Sequence, residues 1–98
     1  MRELSFEWDV RKAVTNRQKH GVSFDEARTV FLDEDALQIP DPEHSEEEDR
    51  FVMLGVSARL RVLVVCHCYR QNDAVIRIIS ARKADRLERR QYDEWRSR

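Results

Sequence analysis

The chain has 98 residues, 41% hydrophobic and 38% charged, with two glycines and two prolines; that holds one core and predicts a single domain over 1–98. The apolar share excludes wholesale disorder, and the longest apolar run, residues 62–66, is far short of the ~18 residues that span a bilayer. The formal net charge of −1 would by itself argue against a polyanion partner.

In chain order, Leu4, Phe6 and Trp8 alternate with Ser5 and Glu7, which predicts a short strand over 4–8. Asp9 can cap a helix starting at Val10, with Val10, Ala13, Val14 and Arg17 on its inner face. Gly21 stands where a helix C′ residue is wanted. Ser23-Phe24-Asp25-Glu26 reads as a capping box for a second helix carrying Ala27, Val30 and Phe31 inward. A short strand over 36–39 is stopped by Pro40 and Pro42, and 42–49 is an acidic loop. Three strands follow, over 51–56, 60–69 and 74–82. The middle one is the most apolar and is expected at the centre of the sheet. Arg70-Gln71-Asn72-Asp73 joins the last two as a hairpin, and a helix runs from Lys83 onward. The order β-α-α-β-β-β-β-α predicts an α+β fold: a compact antiparallel sheet of four to five strands, two N-terminal helices and a C-terminal helix, with the helices on one face.

The hairpin register can be argued further. Leu60, Val62, Val64, Cys66 and Cys68 form a wholly apolar face, and Ala74, Ile76 and Ile78 are expected to join it. Paired residue numbers would then sum to about 144, with His67 opposite Arg77 and Tyr69 opposite Val75. The other face, with Arg61, His67, Tyr69 and Arg77 among Leu63, Val65 and Ile79, would be partly wet, because Arg is rarely buried unpaired.

The charge is unevenly placed. Residues 1–49 hold 6 basic and 14 acidic side chains, residues 50–98 hold 12 basic and 5 acidic, and 15 of the 18 basic residues are Arg. Arg suits phosphate, so the basic half is either a polyanion-binding face or a solvated surface with internal ion pairs. Arg70, Arg77, Arg82 and Lys83 lie along and beyond the hairpin, followed by Arg86, Arg89 and Arg90. Lys19-His20 ends the first helix. It either offsets the helix dipole or sets a general acid/base beside a phosphate-binding cation.

Cys66-His67-Cys68 is not expected to bind metal. On a strand the cysteines point away from the histidine, and no second cluster completes a tetrahedral set. Two cysteines are also too few for a disulfide framework. Met1-Arg2-Glu3-Leu4 lacks a signal peptide's apolar stretch, so the expectation is a soluble cytoplasmic protein without cofactor, metal or membrane partner. No Gly-rich phosphate loop, H-E-x-x-H or G-x-S-x-G motif is present.

FEWD at 6–9, KHGVSF at 19–24, the VF.D pattern at 30–33 and IRIISARKA at 76–84, followed by Glu88-Arg89 and Tyr92, resemble the BrnT family. These are RelE-like ribonuclease toxins of type II toxin–antitoxin systems. The resemblance runs from about Phe6 to Tyr92. It implies metal-independent RNA cleavage that inhibits translation and growth, and a BrnA-like DNA-binding antitoxin through which oligomers form. Family functional positions fall on Lys19, His20, Arg77 and Arg82, with Trp8, Arg50 and Arg70 beside them.

The chemistry would use RNA's own 2′-OH. His20 acts as acid or base, and Lys19, Arg77 and Arg82 clamp the phosphate. Trp8 or Tyr69 would stack a base, and Lys83 would extend the substrate-binding set. Sharing one phosphate requires His20 and Arg77 within roughly 10 Å. A different reading is a non-catalytic, Arg-rich module that docks on nucleic acid or on an acidic protein. A third is a structural partner whose one task is to complex another protein.

Overall fold

The most apolar stretch does form the middle of the sheet. The computed structural model describes residues 4–41 and 49–98, so the acidic stretch 42–48 and Met1-Arg2-Glu3 lie outside the described residues. The elements are β1 (Ser5–Glu7), α1 (Val10–His20), α2 (Phe24–Thr29) running into a 3-10 turn (Val30–Leu32), β2 (Leu37–Pro40), β3 (Arg50–Val56), β4 (Val62–Arg70), β5 (Val75–Lys83) and α3 (Arg86–Arg96). The strand order is β1-β5-β4-β3-β2. Neighbours are antiparallel except β1, which runs parallel to β5. A parallel contact needs a crossover, and the long return from β1 to β5 supplies one.

The helices lie on both faces of the sheet, not on one as expected. Leu63 and Val65 of β4 and Ile78 and Ala81 of β5 pack under Val22, Phe24, Ala27 and Val30, all essentially buried. The opposite face carries Leu54 and Val64 against Tyr92 of α3. The driest core is thus the face holding Leu63 and Val65, the reverse of the expected assignment. Alternation could not decide this, because both faces of β4 are apolar over residues 62–66.

The expected register fails for a local reason. Val64 pairs with Arg82 and Cys66 with Ser80, but His67 pairs with Ile78 and Tyr69 with Ile76. Ile79 is the extra residue of a bulge between the two registers. The bulge turns Ser80 outward and brings Ala81 in. His67 therefore faces Ile78 rather than Arg77, and is fully buried. Arg77 pairs with Cys68 on the other face.

α1 begins and ends as its sequence dictates. The Asp9 carboxylate accepts from the Arg11 and Lys12 amides at 2.8 and 3.2 Å. Gly21 takes φ 69° and donates its N–H to the Arg17 carbonyl, a conformation that suits glycine. Its inner face differs from the expected one. Val10 and Val14 are 72% and 54% exposed, whereas Asn16 is buried. β1 pairs with β5 only as far as Arg77, so the outer edge of β5 needs other partners beyond that point. Asn16 supplies them: Nδ2 donates to the Ala81 and Val22 carbonyls at 2.8 and 3.0 Å, and Oδ1 accepts from the Ala81 amide at 3.1 Å.

Ser23 caps α2 by accepting from the Glu26 amide at 3.0 Å. The reciprocal half of that box is not made. Glu26 is buried and turns inward, accepting from Ser57 Oγ at 2.7 Å and from the Arg61 guanidinium. Arg61, expected on a wet face, also donates to the Gly21 carbonyl at 3.3 Å, so one ion pair ties the α1–α2 junction to β4. A complete capping box instead starts α3, between Asp85 and Glu88. β5 runs through Lys83, and the helix begins three residues later than expected.

Candidate active site

A groove of about 330 Å³ runs between α1 and the free edge of β5. Arg11, Lys12, Thr15, Asn16, Lys19 and His20 form one wall, and Ile79 and Ser80 form the other. The wall follows from helical spacing. Arg11, Thr15 and Lys19 make one i, i+4, i+8 row, and Lys12, Asn16 and His20 make the next. The other wall follows from the bulge, which sets Ile79 and Ser80 at the edge left open by β1. Asn16 has its carboxamide committed to backbone, so it holds the groove in shape.

Lys19 and His20 therefore stand together in one concavity with two further cations. α1 has no acidic residue in its first turn, and Arg17, Lys19 and His20 fill its last turn, so dipole compensation is also served. Arg11, Lys12, Thr15 and Ser80 are not among the residues that the sequence points to. The row spacing along α1 is readable in the sequence, but its apolar pattern puts Val10 and Val14 on the inner face, and both are exposed.

Arg77 and Arg82 lie elsewhere. Arg77 is on the sheet face away from α1 and α2 and donates to Glu7 Oε2 at 2.5 Å. Arg82 shares that face and holds Glu88 through two hydrogen bonds of 2.8 and 2.9 Å. The Glu88 carboxyl is held below its ordinary range, chiefly by Arg82. The expected single groove holding both His20 and Arg77 is not what forms, since Arg77 is not among the residues lining the α1–β5 groove. Ser80 is the link. It pairs with Cys66 between Arg77 and Arg82 on the Arg-bearing face and also lines the α1 groove.

Arg50 pairs with Cys68, which pairs with Arg77, so Arg50 and Arg77 flank one cysteine in a row across the sheet. Arg70 is exposed at the hairpin end of β4, and Lys83 is exposed at the far end of β5. Lys83 lines a separate concavity with Leu60, Arg61, Val62, Ala84 and Arg89.

The two aromatic residues expected to stack a base are engaged in packing. Trp8 meets Phe24 edge-on at 5.9 Å and packs against the core. Tyr69 donates to Gln38 Oε1 at 2.6 Å and lies against Phe51 and His67. His67 contacts the Phe31 ring at 4.8 Å, and burial lowers its pKa. Its nitrogens are engaged with the Val65 carbonyl and the Gln38 carboxamide, so it serves the core rather than a surface site.

Cys66 and Cys68 are thiols and not a disulfide. Burial, with Asp41 nearby, pushes Cys66 up to about 11, which leaves it a poor nucleophile at neutral pH. Among the described residues, no group of three or more His, Cys, Asp or Glu converges as a metal-binding set. No helix among the described residues is long and apolar enough to cross a membrane. A larger concavity beside α3 is floored by Leu37, Ile39, Val52, Leu54 and Val64, a lining suited to apolar side chains rather than to a phosphodiester.

Comparison with known proteins gives the family and the fold. The model of a family described as ribonuclease toxin, BrnT, of type II toxin–antitoxin systems matches residues 8–88. Among solved structures, the crystal structure of the Brucella abortus ribonuclease toxin BrnT superposes with a TM-score of 0.67 at 23% identity, covering 86% of this chain and 100% of that one. At that identity the likeness speaks for the fold. No curated protein matches the chain.

Proposed function

This chain belongs to the BrnT family of ribonuclease toxins from type II toxin–antitoxin systems, and on that premise we infer that it cuts RNA in the groove between α1 and β5 without help from a metal ion. RNA is its target and an antitoxin is its partner, as its membership of that family implies. The observation that carries the site is the convergence of Lys19 and His20 with Arg11, Lys12 and Ser80 in one concavity. An acid/base side chain beside several cations is what transesterification of RNA requires.

In the proposed reaction the 2′-oxygen attacks the adjacent phosphorus. The P–O2′ bond forms as the P–O5′ bond breaks. One proton leaves the 2′-OH and one reaches the 5′-oxygen; His20 carries one of these transfers and solvent water the other. Lys19 stabilises the charge that builds on the non-bridging oxygens. Arg77 and Arg82 take flanking phosphates across Ser80, exchanging Glu7 and Glu88 for the substrate. Arg50, Arg70 and Lys83 add backbone attraction at longer range, and the packing of Trp8 and Tyr69 leaves them lesser roles.

The partner is proposed to be a BrnA-like DNA-binding antitoxin that covers the groove and assembles the toxin into oligomers. The toxin itself is proposed to act in the cytoplasm as one domain over 1–98. The test is cleavage of a short RNA by purified toxin in EDTA, with end-group analysis. The reading expects 2′,3′-cyclic phosphate and 5′-hydroxyl ends. Loss of all activity on chelation, or 5′-phosphate ends, overturns it.

A further inference from the structure

We propose that the α1–β5 groove grips two to three consecutive phosphates of a single RNA strand and reads no base, so that cleavage tolerates sequence. This rests on the groove being the RNA site. Its lining offers Arg11, Lys12 and Lys19 as cations and Thr15 and Ser80 as hydroxyls. The one carboxamide, on Asn16, spends its donor and acceptor on the Ala81 and Val22 backbone, so it has no edge left with which to read a base.

The rings that would stack bases are placed elsewhere. Trp8 packs on Phe24, Tyr69 is bound to Gln38, Tyr92 is buried with its hydroxyl on Asp33 at 2.6 Å, and Trp95 lies under Arg98 at 3.7 Å. His20 is the one ring in the lining, and an imidazole face stacks on any base alike.

The cations also set the length of strand held. Lys12 and Lys19 are two helical turns apart on adjoining rows, roughly 10 Å along the axis at ~1.5 Å per residue. A strand carries one charge per ~3.4 Å when stacked, and fewer when extended, which gives two to three phosphates over that distance. A duplex would bring a second backbone for which this narrow edge groove has no opposing wall of cations.

The experiment measures binding of labelled, uncleavable 2′-O-methyl octamers of uridine, adenosine and cytidine across a salt series. The expected affinities agree within about threefold. The groove's own share of the log–log salt slope, read as the part lost when Arg11, Lys12 and Lys19 are all replaced by alanine, is about −1.4 to −2, at ~0.7 per phosphate contact for single strands; Arg77 and Arg82 add their contacts to the total. Lys12→Ala and Lys19→Ala each weaken all three octamers equally and flatten the slope by about 0.7. Tenfold discrimination among the octamers, with both lysine effects intact, overturns the sequence-tolerant grip while leaving the groove as the RNA site. Unchanged binding and slope in both lysine variants overturns the groove assignment itself.

Discussion

The Asn16 carboxamide pairs with both backbone groups of Ala81, accepting its N–H at 3.1 Å and donating to its carbonyl at 2.8 Å. One side chain thus supplies strand-like pairing at Ala81, four residues past Arg77, where β1 stops pairing. It also seats α1 against β5, and the seam between them is the candidate RNA groove.

Replacing Asn16 with alanine leaves the Ala81 N–H and two buried carbonyls unpaired, at about 1–3 kcal/mol per group before water enters. We expect Asn16→Ala to lose about 2–4 kcal/mol in urea unfolding. A loss below about 0.5 kcal/mol would show that the seam is held by other contacts.

Glu26 supplies an acid-sensitive lock. The Arg61 guanidinium, and with it Ser57, holds its carboxyl below 4.5. The unfolded chain therefore takes up that proton first as pH falls. The stabilisation is full above pH 4.5 and is lost as pH drops through the lower folded value. Asp33 and Glu88 shift in the same direction and share the acid limb. Glu26→Gln should destabilise the protein at pH 7 by about 2–3 kcal/mol, because it strips the charge from a mostly buried pair, and should flatten the acid limb by Glu26's share. An acid limb identical to that of the parent would refute the lock.

His67 acts in a higher window. Burial lowers its pKa below 6.5, so the unfolded state binds the proton first. Stability is unaffected above pH 6.5 and falls as pH drops from there toward the folded value. Imidazole ¹⁵N shifts should show one histidine still neutral where an ordinary histidine is half-protonated. Titration of His67 at or above 6.5 would contradict its placement among Phe31, Phe51 and Tyr69.

The sequence carried the element order, the Asp9 cap, the Gly21 stop, the central β4 and the hairpin turn, because each depends on local chemistry. It did not carry the choice of faces. Residues 62–66 are apolar on both sides, so nothing in the strand itself says which side two helices will cover. The bulge at Ile79 sits between isoleucine and serine, where alternation reads equally well in either register. Asn16 reads as an outward polar residue because its partners, Ala81 and Val22, are backbone groups with no sequence signature. Lys19 and His20 were legible from their place at a helix end and from the KHGVSF motif. Arg11, Lys12, Thr15 and Ser80 needed the true inner face of α1 and the bulge.

The proposed phosphate contact of Arg77 can be tested apart from stability. Its pair with Glu7 is about one-third exposed on both sides, so Arg77→Ala should cost no more than about 1 kcal/mol in unfolding. Activity should nevertheless fall at least about tenfold, and Arg77→Lys should restore little of it, since lysine lacks the bidentate fork. Full activity in Arg77→Ala would remove the Arg-bearing face from the substrate path.

The most direct test of the groove as the cleavage site is the single-turnover rate of His20→Ala on a saturating short RNA. The account predicts a fall of about 10²–10⁴-fold, with RNA affinity and urea midpoint close to those of the parent. A rate within about threefold of the parent, in a protein that still binds RNA, would contradict it.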